Sequence, residues 1–392
     1  MNSRLYLFNP DHDLALANGD ENFNPPQSAR TFASDLACLP IWYAFAESVV
    51  WNASADQIWM EEMRQLFPRL ADLSMQAQPD FSTLTSVHPW GWDSAVAKRL
   101  IVQGAGDSLL PGMDRLNAVR RLSHRATAIK ALRFLRGQNS LADLLPFPAQ
   151  QLSIDEVERF AAYYPAVIFK APWSGSGKGL CWSHGAMTES KRGWCRNIAE
   201  KQGCVIGEEA YDKVQDFAME FSCLDGKATF AGYSLFETER GIYRSNELSS
   251  DEDIFKRLTE KWVSAEDLLT VQHCLLSFLE NEIAPFYTGL LGVDMFVFRR
   301  DGAFRLHPCV EINVRMTMGG VARIFYDRFV QPSATGRFFI DHYPSSGSLW
   351  QDHQQRRSLL PLQVVDGQIA HGYLSLSPVT QRSHYRVRVE IR

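Results

Sequence analysis

The 392-residue chain has 7 cysteines, an odd number, and no Cys-x-x-Cys pair among them. That scatter excludes a disulfide framework and a zinc ribbon, leaving reduced, mostly buried thiols as the expectation. No apolar run approaches the ~18 residues of a membrane span, so no membrane partner is expected. The opening segment Met1–Phe8 lacks the length and the cleavage site of a secretory signal, which points to a cytoplasmic protein. Neither sign of charge dominates: 40 Lys+Arg stand against 45 Asp+Glu, net −5, without a basic stripe. A nucleic-acid partner is therefore not expected. Internal repeats and a Ser-His-Asp or Cys-His nucleophile signature are missing too, so no covalent protein intermediate is implied. What remains is 45% hydrophobic residues, enough to bury a large core over two or three domains.

The richest stretch lies in the last third. Gly292–Phe298 and Ala303–Leu306 are apolar runs joined through Asp301-Gly302, the strongest short-range hairpin signal. With Asp301-Gly302 as a two-residue loop, Arg300 faces Ala303; counting outwards, Asp294 faces Cys309 and Gly292 faces Glu311. Side chains alternate faces, so Asp294, Glu311 and Asn313 share one face, with diagonal neighbours about 7–8 Å apart. Pro308 cannot donate to the ladder, and a bulge there would shift this register by one residue. Two carboxylates and an amide so placed can hold hard divalent cations; a solvated acidic face is the competing interpretation. Ile312 and Val314 on the opposite, apolar face favour the cation site, because buried charges need partners.

A second element starts at Pro165. Ala166–Lys170 reads as a short strand ending in lysine, followed by Trp173-Ser174-Gly175-Ser176-Gly177-Lys178-Gly179. Glycines let backbone N–H groups approach phosphate oxygens, and Lys170 and Lys178 supply positive charge. Pro172 stands where a Walker A loop needs its first glycine, and Gly179 where it needs Ser or Thr. No Gly-x-Gly-x-x-Gly opens a helix, so a dinucleotide fingerprint is excluded.

Strand, lysine, Gly/Ser loop, then Cys204–Tyr211, a long α/β stretch and the Asp…Glu-x-Asn-x-Arg hairpin form an order that resembles the ATP-grasp superfamily. The resemblance spans roughly residues 110–335, and Glu311-Ile312-Asn313-Val314-Arg315 looks most like the biotin-carboxylase branch. It implies an α/β and α+β architecture: a Rossmann-like N-terminal domain (1–110), a small lobe with the Gly-rich loop (111–207) and a large lobe with the metal site (208–340). A C-terminal extension (341–392) follows, reached through Pro344–Ser348 as a linker and without an assigned role. By the same resemblance Lys170 reaches the α/β-phosphates, and Gly175, Ser176, Gly177, Lys178 and Gly179 form the mobile loop over the β/γ-phosphates. Glu208, Glu209, Ala210 and Tyr211 match the hinge that reads adenine, and Asp216 the ribose ligand. Asp294, Glu311 and Asn313 match ligands of two Mg2+ ions, with Mn2+ able to substitute. Arg315 matches an arginine on the transferred phosphate or acyl substrate. One departure is Arg125, within a helical pattern over 116–135, standing where the family carries a lysine; the fork of a guanidinium also suits phosphate.

These roles imply an ATP- and Mg-dependent ligase joining a carboxylate to an amine through an acyl phosphate, with ADP as product. An ATP-grasp kinase acting on a small-molecule hydroxyl and a non-catalytic nucleotide-binding protein share the same ATP site and stay open. Small-molecule or peptide substrates and a homodimer are compatible with either. In the first domain, Asp11-His12-Asp13 follows the strand at Leu5–Phe8; it either grips a polar substrate or forms an Asx-type turn with His12 exposed, the commoner outcome. Tyr243–Glu247 reads as a polar interruption between strands, where Arg244 is either an anion contact or an exposed loop residue.

Overall fold

The computed structural model describes residues 3–54, 56–175, 179–239 and 242–392. Its strands gather into three sheets. In the first, Ser74–Gln76, Ser48–Trp51, Ser3–Leu7 and Leu84–Pro89 lie side by side in that order, all parallel. The chain winds outwards from Ser3–Leu7 and then returns to its other edge, so the loops after Leu7 and after Pro89 meet at the reversal point.

The second sheet is small and antiparallel: Gln150–Leu152, Val205–Glu209, Ala166–Lys170 and Leu180–His184. Val167, Phe169 and Val205 pack beneath helices Val157–Tyr163 and Glu189–Gln202 in a core of their own. The third sheet has nine strands, beginning Ala303–Asn313, Gly289–Arg300, Asp212–Leu224, Lys227–Glu239 and Ile242–Leu248. Its alternation is plain on Asp212–Leu224: Phe217, Met219 and Phe221 enter the core with helix Ala265–Glu282, while Asp216, Ala218 and Glu220 line a cleft.

Asp301-Gly302 does close the hairpin, with φ of 51° and 75°, the left-handed pair that a type I′ turn requires. Asp225-Gly226 repeats the geometry between the next two strands. The expected register holds only as far as Phe296 opposite His307. Beyond it Asp294 pairs with Glu311, not Cys309, and Gly292 with Asn313, not Glu311. Pro308 lacks the N–H that the ladder needs, and the strand slips there by two residues rather than one. An even slip restores each side chain to its face, so Asp294, Glu311 and Asn313 still point the same way.

Two further expectations are corrected. The helical pattern over 116–135 is two helices, Met113–Leu122 and Ala126–Arg136, and Arg125 caps the start of the second. Tyr243–Glu247 does not interrupt the sheet but forms its Ile242–Leu248 strand.

The sheet also runs through residue 340, where a domain boundary was expected. Gly336–His342 pairs along its length with Tyr385–Ile391, which pairs with Gln368–Ser375. This tail shares a core with residues of the parallel sheet and its helices. Trp42 is fully buried edge-on against Phe67, Phe325 and Phe329, and its indole N–H donates to Leu376 O at 2.7 Å. Asp35 accepts from the backbone N–H groups of His384 and Tyr385 at 2.8 and 2.9 Å. Burying one such aromatic contributes about 1.5–3 kcal/mol, which makes Trp42 a principal rivet between the two parts. No helix among the described residues is long and apolar enough to cross a membrane.

Candidate active site

The small sheet, the large sheet and the start of helix Ala126–Arg136 enclose a cavity of about 270 Å³. Its floor is a grid set by strand register. Three rows cross the strands Asp212–Leu224, Gly289–Arg300 and Ala303–Asn313: Asp216–Phe296–His307, Ala218–Asp294–Glu311, and Glu220–Gly292–Asn313. Successive rows lie about 7 Å apart, two residues along a strand.

Between the second and third rows, Asn313 Nδ2 donates to Asp294 Oδ2 at 3.1 Å. Burial, reinforced by the adjacent Glu311 charge, pushes the Asp294 carboxyl up to about 7. A carboxylate raised in this way favours any cation that arrives. Among the described residues no three His, Cys, Asp or Glu side chains converge as a ready-made metal cage. Two carboxylates and an amide nevertheless suit Mg2+, which commonly takes one or two carboxylates and completes its shell with phosphate oxygens and water.

Arg125 reaches the second row from the helix start. It pairs with Glu311 Oε2 at 2.9 Å and donates to Ala171 O at 3.0 Å and Ser174 Oγ at 3.1 Å. One guanidinium thus joins the expected metal set to the root of the Gly-rich loop. Of that loop, Gly175 and Gly179 are described, whereas Ser176, Gly177 and Lys178 lie outside the described residues.

At the end of the cavity where the small sheet meets the large one, Lys170 is buried against Glu208, whose second oxygen meets His307 Nε2 at 2.8 Å. Burial alone would raise Glu208, but the Lys170 and His307 charges outweigh it and hold the carboxyl below its usual range. Glu208, Glu209, Ala210 and Tyr211 all line the cavity, with Glu209 tied to Arg300. Asp216 sits beside them, accepting from Lys213 Nζ at 2.8 Å and Thr238 Oγ1 at 2.7 Å.

Arg315 lines the cavity from the far side and is gripped by Asp13 through two bonds of 2.9 and 2.8 Å. Fork-to-fork pairing of this kind fixes the guanidinium in one plane. Asp13 comes from the first domain, and Gly175 of the loop lies directly against its Oδ2, where a Cβ would collide. The first domain also touches the hairpin's exit, since Met316 N donates to Trp90 O at 2.9 Å. The exposed turn expected at Asp11-His12-Asp13 does not form: His12 is buried, with Nδ1 3.2 Å from Asp93 Oδ2. Neither Asp11 nor His12 lines the cavity. Arg244 is exposed, paired with Glu239, and away from it as well.

Sequence reasoning passed over Glu220, Lys213, Asn246 and Tyr243, all of which line the cavity. Glu220 is 1% exposed, and burial pushes its carboxyl up to about 8 despite the Thr317 hydroxyl donating to Oε2 at 2.9 Å. A lone Glu inside Phe217-Ala218-Met219-Glu220-Phe221 was the available signal, since an apolar strand does not bury a charge without cause.

No family model and no curated protein matches the sequence. Solved structures do match the fold. N5-carboxyaminoimidazole synthetase from Staphylococcus aureus, complexed with ADP, aligns over 100% of this chain and 93% of its own at a TM-score of 0.50 and 13% identity. Biotin carboxylase from Campylobacter jejuni aligns over 100% and 87%, at 0.50 and 13%. The biotin carboxylase domain dimer of the Hydrogenobacter thermophilus 2-oxoglutarate carboxylase, in complex with MgADP, ADP and bicarbonate, aligns over 100% and 86%, at 0.52 and 10%. The order of the three sheets, with a cleft between the small and the large one, and the alignment over the whole chain with these structures show the ATP-grasp fold.

Proposed function

We propose that the protein is an ATP- and Mg-dependent ligase that joins a carboxylate to an amine through an acyl phosphate, forming ADP. The observation that carries this reading is the cleft itself: Asp294, Glu311 and Asn313 on one sheet face look across at Lys170, Arg125 and Arg315. Opposed acids and cations in one cavity are what a chelated polyphosphate needs, and ADP is bound in two of the aligned structures.

In this reading adenine lies against Tyr211 at the hinge formed by Glu208–Tyr211, with ribose at Asp216. Asp294, Glu311 and Asn313 would hold Mg2+, which offsets phosphate charge when bound. Lys170 and Arg125 orient the phosphates, and the Gly175–Gly179 loop covers them and excludes water. The substrate carboxylate attacks the γ-phosphorus and ADP departs. The amine then adds to the acyl carbon, and phosphate leaves. Arg315, held in plane by Asp13, faces the oxyanion of that tetrahedral step. Residues 1–110 supply one wall of the acceptor side through Asp13.

The test is incubation with Mg·ATP and paired panels of carboxylic acids and amines. An amide formed together with ADP and phosphate supports the reading. A phosphate ester formed from a hydroxyl compound, with no amide, overturns it in favour of a kinase.

A further inference from the structure

The cavity does not end at the expected cation set. One row beyond Asp294, about 7 Å further along the strands, stands Glu220. Thr317 satisfies its Oε2, while Oε1 receives no hydrogen bond from any described residue. Space around it is preserved by two glycines. A Cβ on Gly292 would sit 2.8 Å from Oε2, and one on Gly319 would collide with both Oε1 and Ser234 Oγ. The wall towards strand Ile242–Leu248 is neutral: Tyr243 donates to Asn246, and Asn246 donates to Ser234.

Cations, by contrast, are all committed among the described residues of the lining. Arg125 is paired with Glu311, Lys170 with Glu208, Lys213 with Asp216 and Arg315 with Asp13. The first three serve the end expected to hold nucleotide. Among the described residues only Arg315 approaches the far end; Asp13 fills its fork, and what it has left is assigned above to the oxyanion of the tetrahedral step.

We propose that this end receives the amine of the acceptor substrate, with the acceptor's nitrogen on Glu220 Oε1, and that the acceptor carries no phosphate or carboxylate beside that amine. This rests on the ligase reading and narrows it. An ammonium or guanidinium group arriving there favours the ionised form of Glu220, whose spare oxygen then accepts a charge-assisted hydrogen bond. An anionic acceptor would bring a negative charge into a buried end where no described cation is uncommitted to pair with it.

Matched pairs of probes test it: ethanolamine against phosphoethanolamine, cadaverine against lysine, and agmatine against arginine. Each is titrated calorimetrically into the full-length protein with Mg·ADP present, and separately tested for acceleration of ADP release from Mg·ATP. The expected result is that a member without the anionic group binds in the millimolar range or tighter, at least about tenfold better than its anionic counterpart. Glu220→Gln, with folding checked by a cooperative thermal melt, should abolish that preference. Equal or better binding of the anionic members overturns the proposal, as does a panel in which no amine binds. Should Glu220→Gln not fold, the wild-type discrimination decides alone. Failure of Mg·ADP itself to bind is a different result, which rejects the ligase reading and not merely the acceptor class.

Discussion

Two clusters of buried charge in this molecule look alike in sequence and behave oppositely. In the tail, Arg386 is fully buried and donates to Asp341 and Asp352, each at 2.5 Å, and to Tyr373 OH at 3.0 Å. Arg388 joins Asp341 and Glu390, and Arg356 closes the ring through Asp352 and Glu390. Although burial opposes it, the arginine bonds win and Asp352 is held below its usual carboxyl range. In the cleft, Glu220 is fully buried and Asp294 partly so, yet their carboxyls rise to about 8 and about 7. The tail cluster is complete with the protein's own groups; the cleft cluster has acid in excess where a cation or an amine could land. A balanced network reads as structure and an unbalanced one as a site.

The comparison breaks most visibly at Arg386. Arg386→Ala strands Asp341 and Asp352 without their shared cation and should cost about 3–5 kcal/mol in denaturant unfolding. A loss below about 1 kcal/mol would mean that the tail network is not the clamp described here.

Glu311→Gln is the counterpart in the cleft. It should abolish Mg·ATP turnover, a drop of about 100-fold or more, while the protein still unfolds cooperatively in the same assay. Turnover that survives unchanged contradicts the assigned cation ligand.

A pH series separates the clusters further. Folding raises the Glu220 carboxyl from 4.5 to about 8, so the folded protein holds a proton that the unfolded chain has already released. Its contribution is fully present below about pH 4.5 and is lost as pH rises through about 8. Glu220→Gln should therefore melt increasingly above wild type as pH goes from 5 to about 8. An equal melting shift at both ends of the range counts against a buried, protonated Glu220.

The smallest effect is at the turns. Gly302→Ala, in the hairpin that carries the cleft carboxylates, and Gly367→Ala, in the tail hairpin, both place a side chain at positive φ, 75° and 74°. Each should cost about 1–2 kcal/mol, but only Gly302→Ala should also weaken Mg·ATP binding when measured by calorimetry.

Legibility followed how local each cause is. Asp301-Gly302 and Asp225-Gly226 announce their turns because the left-handed pair favours those residues in place. The shared face of Asp294, Glu311 and Asn313 survived a wrong register because period two forgives an even slip. The size of the slip at Pro308 was not legible, since it depends on how the neighbouring strand Asp212–Leu224 holds Gly289–Arg300. Long-range facts were hidden for the same reason. Asp13 and Arg315 are 302 residues apart in sequence, and nothing at either end signals the other. The break at Arg125 was missed because Leu122–Lys130 carries helical periodicity across it, while Arg125 N bonds to Pro172 O, far away in sequence. The tail's role lies in the pairing of Gly336–His342 with Tyr385–Ile391, a contact no local pattern encodes.

The most direct test is calorimetric titration of the purified protein with ATP, with and without Mg2+, for the wild type and Asp294→Asn. One-to-one binding that needs Mg2+ and is strongly weakened in the variant is the predicted result. Failure of adenine nucleotides to bind with Mg2+ present, or equal affinity in the variant and in chelator, would contradict the account.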